Sequence, residues 1–73
     1  MDQTKFITEF VELIQTEDEL GLTTNLAEIE EWDSLSAMVL IVFFEKKLNT
    51  KLTFEDIKKF KTVGDIYAYI PQT

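Results

Sequence analysis

The chain is predicted to fold as an all-α bundle, and three observations predict it. Apolar residues recur with helical period in three separate stretches, and Asp or Thr side chains suited to capping stand where helices would begin. The chain has 73 residues, 45% of them hydrophobic and none of them cysteine, so residues 1–73 form one small domain held by packing alone.

The first helix runs from Asp2 to about Thr16. Phe6, Ile7, Phe10, Val11 and Ile14 share one side, with Glu9 and Glu12 between them on the other. Residues 17–31 keep no period and contain Gly21 and Asn25, a long connection for so small a domain. Leu22, Leu26, Ile29 and Trp32 are the residues able to pin it down. The following stretch contains Met38-Val39-Leu40-Ile41-Val42-Phe43-Phe44, which by composition also reads as a buried strand. Length and flanks favour a helix over Ser34–Asn49. Asp33 precedes it as a cap, Glu45-Lys46-Lys47 follow with charge suited to a C-terminal end, and Ala37, Leu40, Ile41, Phe44 and Leu48 form a core-facing stripe.

Thr53-Phe54-Glu55-Asp56 is a capping box with aspartate in the last place, and it opens a short helix ending near Lys58 or Lys59. Thr62-Val63-Gly64-Asp65 repeats that start. Val63, Ile66, Tyr67 and Ile70 then face the core, Pro71 stops the helix, and Gly64 is a weak point in its first turn. The sum is a small four-helix bundle, three main helices plus one short helix, with no repeat or interdomain linker.

Seven lysines and no arginine face fourteen acidic residues, giving a net charge of −7 that repels nucleic acid and anionic membranes. The longest apolar run, Ala37 to Phe44, is too short to cross a bilayer, and the residues after Met1 lack a signal-peptide layout, so a cytoplasmic location is expected. With no histidine and no cysteine, Ser-His-Asp and Cys-His arrangements and ordinary zinc sites are excluded. The carboxylates are scattered, without a Gly-rich phosphate loop or calcium-loop spacing, so neither catalytic residues nor a metal site is expected. Glu28, Glu30, Glu31 and Asp33 read as a solvated acidic edge, and the lysines as a solvated face.

The chemistry concentrates at Trp32-Asp33-Ser34-Leu35. Asp33 as N-cap leaves Ser34 at the first helical position with its hydroxyl toward solvent. A phosphodiester there would sit at the positive end of the helix macrodipole, repelled somewhat by Asp33. Taken alone, an Asp-Ser pair opening a helix is an ordinary cap. The same helix carries a second apolar strip, Leu35, Met38, Val39 and Val42, followed by Lys46. Either the helix is buried all round or this strip, which begins beside Ser34, waits for a partner; the residues alone leave both open.

In order and spacing, these pieces resemble the acyl carrier protein family. The resemblance covers nearly the whole chain and rests on Asp33-Ser34-Leu35, the Leu40-Ile41-Phe44-Leu48 spacing, Leu52-Thr53-Phe54-Glu55-Asp56-Ile57, and Thr62-Val63-Gly64-Asp65-Ile66. It implies that Ser34, flanked by Asp33 and Leu35, carries 4′-phosphopantetheine delivered from coenzyme A by a phosphopantetheinyl transferase. It also implies acyl or aminoacyl cargo held as thioesters, loaded by an activating ligase and passed to acyl-transfer or condensing enzymes. Partners would dock on Leu35, Met38, Val39 and Val42.

Two departures from the family pattern stand out. Ser36, Val39, Lys46 and Lys47 occupy places where carriers of fatty acid synthesis usually have acids, while Asp33 and Glu45 are kept, which points to a dedicated pathway and more apolar docking. Glu31-Trp32 stands where peptidyl carriers have Gly-Gly, so a freestanding acyl or D-alanyl-type carrier fits better. Phe43 and Phe44 border the family's cargo cavity and imply short or exposed cargo. The alternative is a helical interaction module that uses the same strip without modification.

Overall fold

In a computed structural model that describes residues 2–71, four helices form in the expected order: α1 (Gln3–Ile14), α2 (Ser34–Leu48), α3 (Phe54–Lys58) and α4 (Val63–Ala68). Residues 1, 72 and 73, the ends of the expected domain, lie outside the described residues.

Helix α1 begins where the Lys5 amide donates to Asp2 Oδ1 at 2.7 Å, and it ends at Gln15, whose left-handed backbone (φ 55°) closes the last turn. The helix thus ends slightly before the expected Thr16. Thr16 is buried, its amide reaches the Val11 carbonyl at 3.3 Å and its hydroxyl accepts from the Asp18 amide at 3.1 Å. Helix α2 likewise ends on a left-handed residue, Asn49 (φ 50°), a side-chain type that tolerates this conformation.

Phe6 and Phe10 from α1, Leu40 and Phe44 from α2, and Val63 and Ile66 from α4 are fully buried and form the centre of the core. Ile41 and Leu48 pack against it half-buried. Phe43, outside the expected stripe, is also buried and meets Phe44 edge-on with ring centroids 6.1 Å apart. Tyr67 lies half-buried against Phe6 at 5.5 Å. The α4 stripe reaches Ile70 through two tightened turns, the amides of Tyr69 and Ile70 donating to the carbonyls of Ile66 and Tyr67 at 3.1 Å each.

The long connection is ordered by the helices around it. Leu26 and Ile29 are buried, Leu22 and Trp32 pack against the core, and Leu26–Glu28 make one 3-10 turn. Backbone bonds tie the connection to the α3–α4 junction: Leu26 N–H to the Lys61 carbonyl at 2.9 Å, Val63 N–H to Thr24 at 3.0 Å and Gly64 N–H to Leu22 at 2.8 Å. Asn25 and Thr62 form an isolated antiparallel bridge there. A Cβ at Gly64 would stand 2.8 Å from the Leu22 carbonyl oxygen. The glycine that weakens α4 as a helix is what lets the loop approach it.

Both capping boxes form. Thr53 and Asp56 cap α3 reciprocally, and Thr62 and Asp65 cap α4. No helix among the described residues is long and apolar enough to cross a membrane.

Candidate functional site

Ser34 is the first residue of α2 and is exposed. Asp33 fixes it there: its extended backbone precedes the helix, its Oδ1 accepts from the Ser36 amide at 2.9 Å and its carbonyl from the Ala37 amide at 2.9 Å. The Ser34 side chain has no hydrogen-bond partner among the described residues, so its hydroxyl is held by the backbone alone and open to reaction.

Beside Ser34 runs a groove of about 250 Å³ lined by Trp32, Ala37, Phe54, Ile57 and Lys58. It shares Trp32, Ile57 and Lys58 with a larger hollow of about 600 Å³ that reaches Phe60 and Lys61. An exposed hydroxyl with the Lys58 ammonium nearby suits a tethered arm that is anionic at its base, and the apolar walls suit the methyl and methylene groups along it. Lys58 also approaches Glu55 at 3.6 Å, an exposed pair that leaves it largely solvated.

The second strip of α2 is exposed: Leu35 at 70%, Met38 at 53%, Val42 at 49% and Val39 at 36%. Of the two readings the sequence left open, burial all round is therefore excluded. A contiguous apolar surface starts within one residue of the Ser34 hydroxyl. Its inner edge falls into a hollow between the end of α1 and the start of α2, where Leu13 and Ile14 face Leu35 and Val39.

Some of this geometry escaped the sequence. Ser36 looked like the mere loss of an acidic residue, yet its hydroxyl donates to the Glu31 carbonyl at 2.6 Å and draws the end of the loop onto the first turn of α2. Phe54 is 46% exposed and forms a wall of the groove. Spacing gave no signal for this, because Phe54 stands three residues before the buried Ile57, on the same side of α3.

Helix α3, which supplies that wall, is braced electrostatically. Asp56 is held below the usual carboxylate range, first by the Thr53 amide, then by the Thr53 hydroxyl, with the Tyr69 hydroxyl also bonded to it. The same bond to Asp56 pushes the Tyr69 hydroxyl above its ordinary value. Asp65 is lowered by the Lys61 and Thr62 amides, which donate to its Oδ2 at 2.8 and 3.1 Å. In the acidic edge, Glu28 accepts from Asn25 Nδ2 at 2.7 Å. Among the described residues no group of three or more His, Cys, Asp or Glu is placed to hold a metal ion.

Comparison with known proteins gives this arrangement its context. The sequence profile of the family described as the phosphopantetheine attachment site matches residues 5–70. An acyl carrier protein of Kineococcus radiotolerans is 48% identical over 40 residues, covering 55% of this chain and 49%, about half, of that protein. An acyl carrier protein of Clostridium perfringens is 36% identical over 56 residues, covering 77% of this chain and 74% of that protein. Among solved structures, the holo acyl carrier protein of Geobacter metallireducens superposes with a TM-score of 0.74 at 29% identity, covering 93% of this chain and 79% of that one.

Proposed function

The chain belongs to the acyl carrier protein family, whose prosthetic group is 4′-phosphopantetheine, and from that premise we propose that Ser34 is the residue that carries it. The observation that carries the proposal is the exposed, unbonded Ser34 hydroxyl at the Asp33-capped start of α2, inside the matched span. When bound, the group supplies a terminal thiol that holds acyl cargo as a thioester.

The chain's own residues then have defined tasks. Asp33 fixes the start of α2 and so the direction of the Ser34 oxygen, while Ser36 fastens the preceding loop to the same turn. The first-turn amides favour the phosphodiester charge. Trp32, Ile57 and Phe54 offer the arm an apolar wall when it rests on the protein. Leu35, Met38, Val39 and Val42 form the face on which the transferase, the activating ligase and the acyl-transfer or condensing enzymes dock. Cargo chemistry is left to those enzymes, and the flexible tether raises its local concentration at each of them. On this reading, residues 1–73 are one carrier domain and not a catalyst, working in the cytoplasm beside coenzyme A-dependent enzymes.

A dedicated pathway with short or exposed cargo is part of the proposal. Phe43 and Phe44 fill space along α2, and the hollow beside Ser34 is an open groove. Thiol titration tests the central step. The chain has no cysteine, so one thiol per chain should appear after treatment with coenzyme A and a broad-specificity transferase, and none in Ser34→Ala. A thiol on Ser34→Ala would overturn the site assignment. Absence of thiol on the folded wild type would leave the interaction-module alternative.

A further inference from the structure

Two hollows flank the start of α2, and they differ in charge. The one on the α1 side, about 360 Å³, is lined by Leu13, Gln15 and Val39 together with the carboxylates of Glu31 and Asp33. Glu31 Oε1 is buried there and has no hydrogen-bond partner among the described residues. A further negative charge on that side would meet two acids and no cation. The groove on the α3 side is different: among the described residues lining it Lys58 alone is cationic, and its one acid, Asp33, already accepts from the Ser36 amide. Lys58 is also lightly committed. Its Nζ stands 3.6 Å from Glu55 Oε1, beyond good hydrogen-bond range, and both side chains are exposed, so the pair contributes little.

We propose that Lys58 binds the phosphodiester formed on Ser34 and so directs the arm to the α3 side of α2, over Trp32 and Ile57, and away from the α1 side. The proposal rests on Ser34 as the attachment residue and adds the contact that orients the group. Lys58 lines the groove before modification, so its flexible stem has only to exchange the Glu55 carboxylate for a phosphate oxygen. The acids of the α1 side act in the same sense by repulsion. Beyond the phosphodiester, Trp32 and Ile57 continue from the groove into the larger hollow, which gives the apolar part of the arm a surface on the side that Lys58 selects.

Amide and indole chemical shifts of the protein before and after modification, with the modified form confirmed by mass, provide the test. Residues 33–36 adjoin the new bond and are left out. Modification of the wild type should move the Trp32 indole and the amides of Phe54, Ile57 and Lys58, and leave Leu13, Ile14 and Gln15 in place. Lys58→Gln should shrink the α3 response by about half or more, and so should 1 M salt, where the screening length is about 3 Å. Lys58→Arg keeps the charge and should preserve the response. Lys59→Gln removes the same charge one residue on, outside the groove, and should leave the response as in wild type. Lys58 and Lys59 are exposed, so the unmodified variants should give the spectrum of a folded protein. A response on the Leu13 side, an α3 response undiminished by Lys58→Gln, or one diminished equally by Lys59→Gln would overturn the proposal. A wild type that gains no group overturns the Ser34 reading and this proposal with it, whereas a group gained at Ser34 to which Lys58 makes no difference overturns this proposal alone.

Discussion

The Gly64 amide donates to the Leu22 carbonyl at 2.8 Å, and a Cβ on Gly64 would stand 2.8 Å from that same oxygen. One contact thus fixes how closely the long connection lies on α4 and excludes any side chain larger than hydrogen at position 64. Gly64→Ala removes a helix-weakening residue, a gain of up to about 1 kcal/mol, yet forces backbone against methyl, typically a cost of about 1–3 kcal/mol. Net destabilisation is expected, read as a lower urea midpoint at unchanged slope. A midpoint equal to or above wild type would show that the loop can give way.

Two serines two residues apart should behave oppositely. Ser34→Ala removes an exposed hydroxyl without a partner and should change stability by no more than about 0.5 kcal/mol. Ser36→Ala strips the Glu31 carbonyl of a 2.6 Å bond and should cost about 1 kcal/mol, with faster hydrogen exchange at the start of α2. Equal effects would mean that Ser36 does not anchor the loop.

The two faces of α2 separate stability from docking. Leu40→Ala empties a fully buried position and should cost about 2–5 kcal/mol. Met38→Glu and Val42→Glu lie on the exposed strip and should leave stability within about 0.5 kcal/mol while raising the KM of the transferase for the carrier. Unfolding by either exposed substitution would return the strip to the core.

The capping aspartates set an acid limit and Tyr69 an alkaline one. The folded-state values of Asp56 and Asp65 lie below 3.8, so their stabilising contribution is complete above that pH and is lost as pH falls through the lowered values. Tyr69 is raised above 10.0, so its contribution is complete below that pH and fades as pH rises through the raised value. Asp56→Asn should blunt both flanks of a stability-against-pH curve, and Tyr69→Phe the alkaline flank. Unchanged flanks in both variants would contradict the bond between them.

Local signals carried most of the fold. Helix periods and caps placed α1, α2, α3 and α4 to within a residue or two, because Asp2, Asp33, Thr53 and Thr62 act on the turns next to them in sequence. The loop was legible only in part: Leu22, Leu26, Ile29 and Trp32 marked where it meets the core, but its backbone partners were hidden for the opposite reason. Its pairing through Leu22, Thr24 and Leu26 with residues 61–64 joins positions 35 to 42 apart, and the hint to that pairing was a glycine that looked out of place. At the site, Ser34 and its cap were readable, and the exposure of the strip was undecided until neighbouring helices showed which face they cover. Phe54 and Ser36 depend on how α3 and the loop lie against α2, which no spacing along the chain encodes.

The most direct measurement is intact-protein mass before and after incubation with coenzyme A and a broad-specificity phosphopantetheinyl transferase, with fragmentation to place any added mass. The carrier assignment predicts the gain of one phosphopantetheine on wild type, located at Ser34, and no gain on Ser34→Ala. A folded wild type that stays unmodified beside a carrier the transferase does modify, or a gain located at another residue, would contradict it.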